Sequence, residues 1–237
     1  MTAAAVAQIP LALRLDEHAR FATFVEEDNA AAVASVAALA AGRHMGVVWL
    51  CGPEGSGKTH LLQAACRRAG EAQLRAMYLP LDDREARADH LMGADRLGVL
   101  ALDAVDAAAG RADWEARLFS VLEHFHANAG GLLLAARVPP AAVPFALPDL
   151  GSRAAGALVY RLRLLGEPGQ LEALRRHASE RGLELDDAAA RFLLNRVRRG
   201  MPELCACLDR LDRASLAAQR RLTIPFIRSA LAEQGCD

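Results

Sequence analysis

Val47-Val48-Trp49-Leu50-Cys51 runs directly into Gly52-Pro53-Glu54-Gly55-Ser56-Gly57-Lys58-Thr59. A short apolar run bounded by turn residues reads as a buried strand, and Thr59–Ala69 behind it reads as a helix. Gly-x-x-x-x-Gly-Lys-Thr in that strand–loop–helix setting is a phosphate-binding loop. Glycines let backbone N–H groups close around phosphate oxygens, and the helix start adds its dipole. Gly52, Gly55, Ser56 and Gly57 are assigned to that cradle. Lys58 supplies a compact charge to the β- and γ-phosphates, and Thr59 a hydroxyl to Mg²⁺.

Composition sharpens the assignment. Of the 28 basic residues in this 237-residue chain, 27 are arginine and Lys58 is the only lysine. A bias that strong reflects nucleotide composition, so the arginines as a class carry no functional message. The lysine falls where the motif requires one. Alanine (51) and leucine (37) dominate the 53% hydrophobic content while aromatics reach 5%, which favours a helix-rich protein. A net charge of −1 gives no overall basic field for nucleic acid. No apolar run approaches membrane-span length and no secretory leader is apparent, so a cytoplasmic protein without a membrane partner is expected. The five cysteines lack the spacing of a disulfide framework or zinc knuckle.

Outward from the loop, further short apolar runs lie at Ala76–Leu81, Val99–Asp103, Leu132–Ala136 and Leu158–Leu162. Helix-like Arg84–Met92 and Trp114–Ala127 separate them. Strands alternating with helices imply an α/β fold with a parallel five-stranded sheet between helices. After Gly166-Glu167-Pro168-Gly169, read as a break, the pattern becomes purely helical: Leu171–Arg181, Asp186–Arg199, Pro202–Arg220 and Ile224–Glu233. Asp186 and Thr223 stand at N-cap positions. The expected organisation is a tail at 1–20, a nucleotide-binding domain at 21–165 and a small all-helical domain at 166–237.

The acid that joins Thr59 on Mg²⁺ should end a later buried strand, and Val99-Leu100-Ala101-Leu102-Asp103 makes Asp103 the candidate. The next residue is Ala104, where active ATPases of this type carry the carboxylate that activates water. Asp106 lies three positions beyond Asp103. Nucleotide binding is supported, whereas independent hydrolysis is doubtful.

The extension Gly57-Lys58-Thr59-His60-Leu61-Leu62-Gln63-Ala64 resembles the DnaA-related branch of the AAA+ ATPases. Upstream, Phe21-x-x-Phe24-Val25 and Asn29 resemble the segment that packs around adenine and ribose. That resemblance places Phe21, Phe24, Asn29 and His60 in the nucleotide site beside the loop, although His60 on residue type alone packs on the loop helix. Leu147-Pro148-Asp149-Leu150-Gly151-Ser152-Arg153 resembles the arginine-finger box, which makes Arg153 the group that reaches a neighbour's γ-phosphate. Leu211-Asp212-Arg213-Ala214-Ser215 with Gln219 through Phe226 is similar to the end of a lid, most like that of Hda-type regulatory inactivators. The resemblance covers Phe21 to Leu231 and implies an AAA+ domain with a helical lid.

Two features separate such a regulator from an initiator. No sequence after the lid remains for a helix-turn-helix domain, and the region from Arg161 onward holds 14 basic and 11 acidic residues interspersed, so direct sequence-specific DNA binding is not expected. Gln8-Ile9-Pro10-Leu11-Ala12-Leu13 resembles the Q-x-x-L-x-[LF] peptide that docks on the replicative sliding clamp. Gln8 would hydrogen-bond there while Leu11 and Leu13 fill a pocket.

The chain also departs from the family pattern. Ala135-Ala136-Arg137 stands where a polar sensor reads γ-phosphate, and Pro202 occupies the place of the lid arginine, with Arg198 or Arg199 as substitutes. With Ala104, these differences imply binding of ADP or ATP with Mg²⁺ and weak or absent turnover, ADP being the expected resident. The resemblance implies a regulator that docks on the DNA-loaded clamp and stimulates ATP hydrolysis by the DnaA initiator, a homo-oligomer being open. The alternative is an ATP-switched helicase loader or origin adaptor of the same class, which would need single-strand contacts and hydrolysis of its own.

Overall fold

The computed structural model describes residues 15–127, 130–197, 200–218 and 221–232. Gln8, Leu11 and Leu13 lie outside the described residues, as do Arg198 and Arg199.

Five strands form one parallel sheet: β1 (Gly46–Cys51), β2 (Ala76–Pro80), β3 (Val99–Asp103), β4 (Gly131–Ala136) and β5 (Leu158–Arg161), in the order β2-β3-β4-β1-β5. The five apolar runs match these strands to within a residue; β1 after Gly46, β3 and β4 are buried throughout, as strands covered on both faces are, while β5 is an exposed edge strand. Side chains alternate across the sheet. Val47, Trp49 and Cys51 join Leu100, Leu102, Leu132 and Leu134 in one core, against α3 (Ala112–Ala127). Val48 and Leu50 join Val99, Ala101, Leu133 and Ala135 in the other, against α1 (Ala30–Ala40) and α2 (Lys58–Glu71).

The sheet's central position puts the ends of β1 and β3 beside one another through β4. Strand order changes direction at β1, and in parallel sheets ligands gather beyond the carboxyl ends of strands at such a point. The phosphate loop leaves β1 there and Asp103 ends β3 there.

Predicted helix Arg84–Met92 is a correction. Only a 3₁₀ turn, Ala88–Leu91, forms there. The Asp83 carboxylate accepts the Glu85 N–H at 2.8 Å, and Gly93 follows at φ 80°, so turn chemistry at both ends displaces the helix. The break read at 166–169 lies a few residues earlier, at 162–166. Gly166 is the N-cap of α5 (Glu167–Glu180), with Pro168 in its first turn, where a missing N–H costs nothing. The α4 helix (Pro148–Ala155) follows the same rule at its start.

The remaining helices are α6 (Asp187–Arg196), α7 (Met201–Ala218) and α8 (Ile224–Ala232). Asp186 caps α6 by accepting the Ala189 N–H at 2.7 Å, as its position predicts. Thr223 precedes α8, and its carbonyl accepts the Ile227 N–H. Leu174, Leu193, Leu204, Leu208, Leu211 and Ile227 form a core of their own between α5 and α8.

This helical unit is tied to the segment that precedes α1. Arg176 of α5 donates to the Phe24 carbonyl at 2.9 Å, Arg20 pairs with Glu180 at 2.7 Å, and Glu27 accepts the Gly166 N–H at 3.2 Å. Glu27 sits so close that a Cβ on Gly169 would fall 2.0 Å from its carboxylate. Residues 15–20, read as part of a tail, lie on α2 in this structure: the Asp16 N–H donates to Gln63 Oε1 at 2.9 Å, and Arg67 donates to the Asp16 carbonyl.

Candidate functional site

Gly57 ends the loop and caps α2 at φ 89°, a left-handed conformation that disfavours any other residue. Space excludes one as well, since a Cβ there would stand 2.5 Å from Cε2 of Phe24. The loop's last glycine is therefore required by the aromatic ring that the upstream segment lays over it. Gly52 is equally constrained, at φ 153° with a would-be Cβ 2.6 Å from the Leu162 carbonyl.

Lys58 donates from Nζ to the carbonyls of Gly52 and Pro53, both at 2.8 Å. The ammonium is thus held across the loop mouth. Burial lowers its pKa from the ordinary value, with Asp103 and Asp106 acting in the opposite direction. Thr59 donates its hydroxyl to Asp103 Oδ2 at 2.6 Å, and Tyr78 donates to the same oxygen at 3.1 Å. The Ala104 N–H is 2.9 Å from Oδ1. A hydroxyl and a carboxylate side by side at the start of α2 are hard oxygen donors, and they fit Mg²⁺.

A cavity of about 480 Å³ opens from the loop and continues between residues 19–25 and helices α5 and α7. That is ample for a nucleotide. Gly55, Ser56, Gly57, Lys58, Thr59, His60, Phe24 and Asn29 all line it. Most of the residues read as a phosphate and base site thus share one concavity, of a size for a nucleotide and with a cationic end, while Gly52 holds the loop from behind it and is outside its lining.

Some expectations need correction in detail. Phe21 does not line the cavity but packs on the core beneath α1 and α2. Asn29 lines it with its amide already committed: Nδ2 donates to the Arg163 carbonyl at 3.1 Å and Oδ1 accepts the Arg163 N–H at 2.9 Å. It therefore anchors the segment between β5 and α5. His60 lines the cavity while one ring nitrogen, Nε2, lies 2.8 Å from the Arg20 carbonyl, and burial lowers its pKa.

The positions where hydrolytic groups would stand are occupied differently. Ala104 adopts φ 51°, a left-handed conformation unusual for alanine, and presents no carboxylate. Asp106 turns to Arg137, 3.2 Å away, so these two pair with each other. Pro202 lines the cavity beside Gly55. It offers the phosphate end no charge.

Arg153 stands elsewhere. It is on α4, about half exposed, outside the lining of this cavity and paired with Glu123 of α3. The start of α4 is fixed by Glu115, which is 2% exposed and accepts the N–H groups of Gly110, Ala146 and Leu147 at 2.7, 2.9 and 2.7 Å. Burial opposes the charge, but these bonds hold the carboxyl below its usual pKa.

Sequence reasoning missed Glu115, which nothing in its neighbourhood distinguishes from an exposed helical glutamate. It also missed Thr23, Leu165, Ala173, His177 and Cys205 in the cavity wall. Ala173 and His177 share the i, i+4 spacing of one helix face, which was legible only as a core stripe.

Residues 15–159 match the family model of the bacterial DnaA ATPase domain, and residues 167–231 match that of the Hda lid domain. Among solved structures, the fold is similar to domain III of the Thermotoga maritima replication initiation protein DnaA. The TM-score is 0.76 at 19% identity, covering 93% of this chain and 98% of that one. AMPPCP-bound DnaA from Aquifex aeolicus gives 0.67 at 23% identity over 82% of this chain and 65% of that one. The Thermotoga maritima RuvB branch migration motor gives 0.63 at 21%, over 90% and 70%. Among the described residues no helix is long and apolar enough to cross a membrane.

Proposed function

The chain belongs to the family of the bacterial DnaA ATPase domain and carries an Hda-type lid, and from this premise we propose that it inactivates the DnaA initiator by stimulating hydrolysis of the initiator's ATP. It is a DnaA-related replication regulator. The finer reading concerns how it acts.

The single observation that supports this reading best is the placement of Arg153. It is about half exposed on α4, outside the lining of its own cavity, beside no phosphate site that this chain builds. A guanidinium so placed is accessible to a neighbour's nucleotide, and its position in the Leu-Pro-Asp-Leu-x-Ser-Arg stretch supports that role. In the partner's active centre it would neutralise charge on the γ-phosphate as water attacks, a contribution of roughly 10³-fold or more.

Ala104 supplies no carboxylate where active ATPases of this type carry one, and Asp106 is paired with Arg137. That site then acts as a binding site for ADP or ATP. Gly52, Gly55, Ser56, Gly57 and Lys58 hold the phosphates, and Thr59 and Asp103 hold Mg²⁺. The bound nucleotide stabilises the joint between sheet and lid, because the cavity walls come from both. Gln8, Leu11 and Leu13 dock on the sliding clamp loaded on DNA, which ties initiator inactivation to active replication in the cytoplasm.

The test is single-turnover hydrolysis of initiator-bound ATP with the chain and a DNA-loaded clamp. Stimulation that needs both supports the proposal. Stimulation without the clamp contradicts the docking role, and no stimulation with both present contradicts the function.

A further inference from the structure

Arg153 sits on α4, a helix of eight residues. A helix of two turns is marginal by itself, and this one starts without a cap of its own. Leu147 stands at the N-cap position with no side-chain acceptor, and Pro148 follows with no N–H. Leu150 and Ala154 are fully buried and fix which face of α4 meets the core. Apolar contact is non-directional, so it does not fix where the helix stands along its axis.

The directional contacts come from α3. Glu115, 2% exposed, accepts the Ala146 N–H on Oε1 at 2.9 Å and the Leu147 N–H on Oε2 at 2.7 Å. Oε1 also accepts the Gly110 N–H at 2.7 Å. Val105 and Ala108, just ahead of that glycine, are buried in the same core as Leu150 and Ala154. One carboxylate thus replaces the missing cap and ties it to a segment fixed in the core. Both of its oxygens serve the entry to α4. At the far end of α4 the guanidinium meets a second residue of α3, Glu123, but that pair is half exposed and exchangeable.

We propose that Glu115 is a positioning residue for Arg153, setting where α4 presents the guanidinium to the initiator's γ-phosphate. The role rests on the proposed action of Arg153 on the initiator's ATP. A slip of α4 by one residue would carry Arg153 about 1.5 Å along the helix axis, and misplacement by about 1 Å can cost on the order of 10²-fold in rate. Glu115 lines no part of the cavity and is too buried to touch a partner. Its effect therefore falls on the maximal stimulated rate, not on docking or on the chain's own nucleotide.

The test is single-turnover hydrolysis of initiator-bound ATP with the DNA-loaded clamp, titrated with the full chain as wild type or Glu115→Gln. Both are assayed well below their melting temperatures. Glutamine keeps the size but turns an amide NH₂ toward one of the N–H groups at the α4 entry. The maximal rate per folded molecule is expected to fall by about tenfold or more. The half-saturating concentration and the affinity for ADP should each stay within about twofold. A purely structural role changes the folded fraction and leaves the rate per folded molecule alone. An unchanged maximal rate would overturn the inference, as would a loss expressed as weaker docking or weaker ADP binding. Should Glu115→Gln not fold, hydrogen exchange on the wild type decides. Ala146 and Leu147 amides as slow as those of β1 support the inference, and amides as fast as those of an exposed turn overturn it. A wild type that gives no stimulation would instead overturn the function reading, and the positioning role with it.

Discussion

The Thr59 hydroxyl donates to Asp103 Oδ2 at 2.6 Å, joining the first turn of α2 to the end of β3. A cation held between these oxygens would replace that hydrogen bond. Mg²⁺ is therefore expected to tighten ADP binding to the wild type and to leave Asp103→Asn with the same affinity in Mg²⁺ as in chelator. Calorimetric titration in both conditions checks this. Equal Mg²⁺ enhancement in the variant would remove Asp103 from the metal site.

Lys58 bridges two carbonyls of its own loop at 2.8 Å, so phosphate oxygens would be its third partners. ADP at 100 times its dissociation constant should stabilise the wild type by about 2.7 kcal/mol. That corresponds to a melting shift of roughly 5–10 °C for a chain of this size. Lys58→Ala should show no shift. A variant that still responds to ADP would contradict the assignment.

Glu115 gathers three backbone N–H groups and so fixes the entry to α4. Its folded pKa is lowered, so its stabilising contribution is present above the unfolded value and is lost as pH falls through the folded one. Glu115→Gln is expected to cost about 2–3 kcal/mol at pH 7. The deficit should shrink below the ordinary carboxylate range, near pH 4. Denaturant titration at pH 7 and pH 3 checks the sign.

His177 gives a dependence of the same sign at higher pH. Burial, with His60 and Arg181 adding to it, lowers its pKa to about 4. Between the ordinary histidine value and about 4 the unfolded chain binds a proton that the folded chain refuses, so stability is lost as pH decreases through that window. Asp16 opposes this weakly. His177→Phe should flatten the slope by up to one proton, and an unchanged slope would assign that proton elsewhere.

Much of this architecture was legible in the residues. The run Val47–Thr59 carries strand, loop and helix in one stretch because each is dictated locally, by apolar burial, glycine and helix start. Asp103 was legible because it ends an apolar run. Legibility fails where a role depends on distant neighbours. Asn29 has the right type and place, yet the Arg163 backbone, 134 residues away, uses its amide. Phe24 and Phe21 look alike in sequence, but only Phe24 lies against Gly57. His177 belongs to a helix stripe that reads as core, and its place in the cavity wall depends on how α5 packs against residues 19–25.

Arg153 carries the central claim, and Glu123 holds it in the isolated chain. An exposed pair of this kind contributes at most about 1 kcal/mol, so the pairing does not prevent transfer to a stronger anion. The most direct measurement is single-turnover hydrolysis of initiator-bound ATP in the presence of the DNA-loaded clamp, comparing wild type with Arg153→Ala. The account predicts that the variant binds ADP as the wild type does yet loses stimulation by roughly 10³-fold, to the unstimulated rate. Stimulation by Arg153→Ala equal to that of the wild type would contradict it.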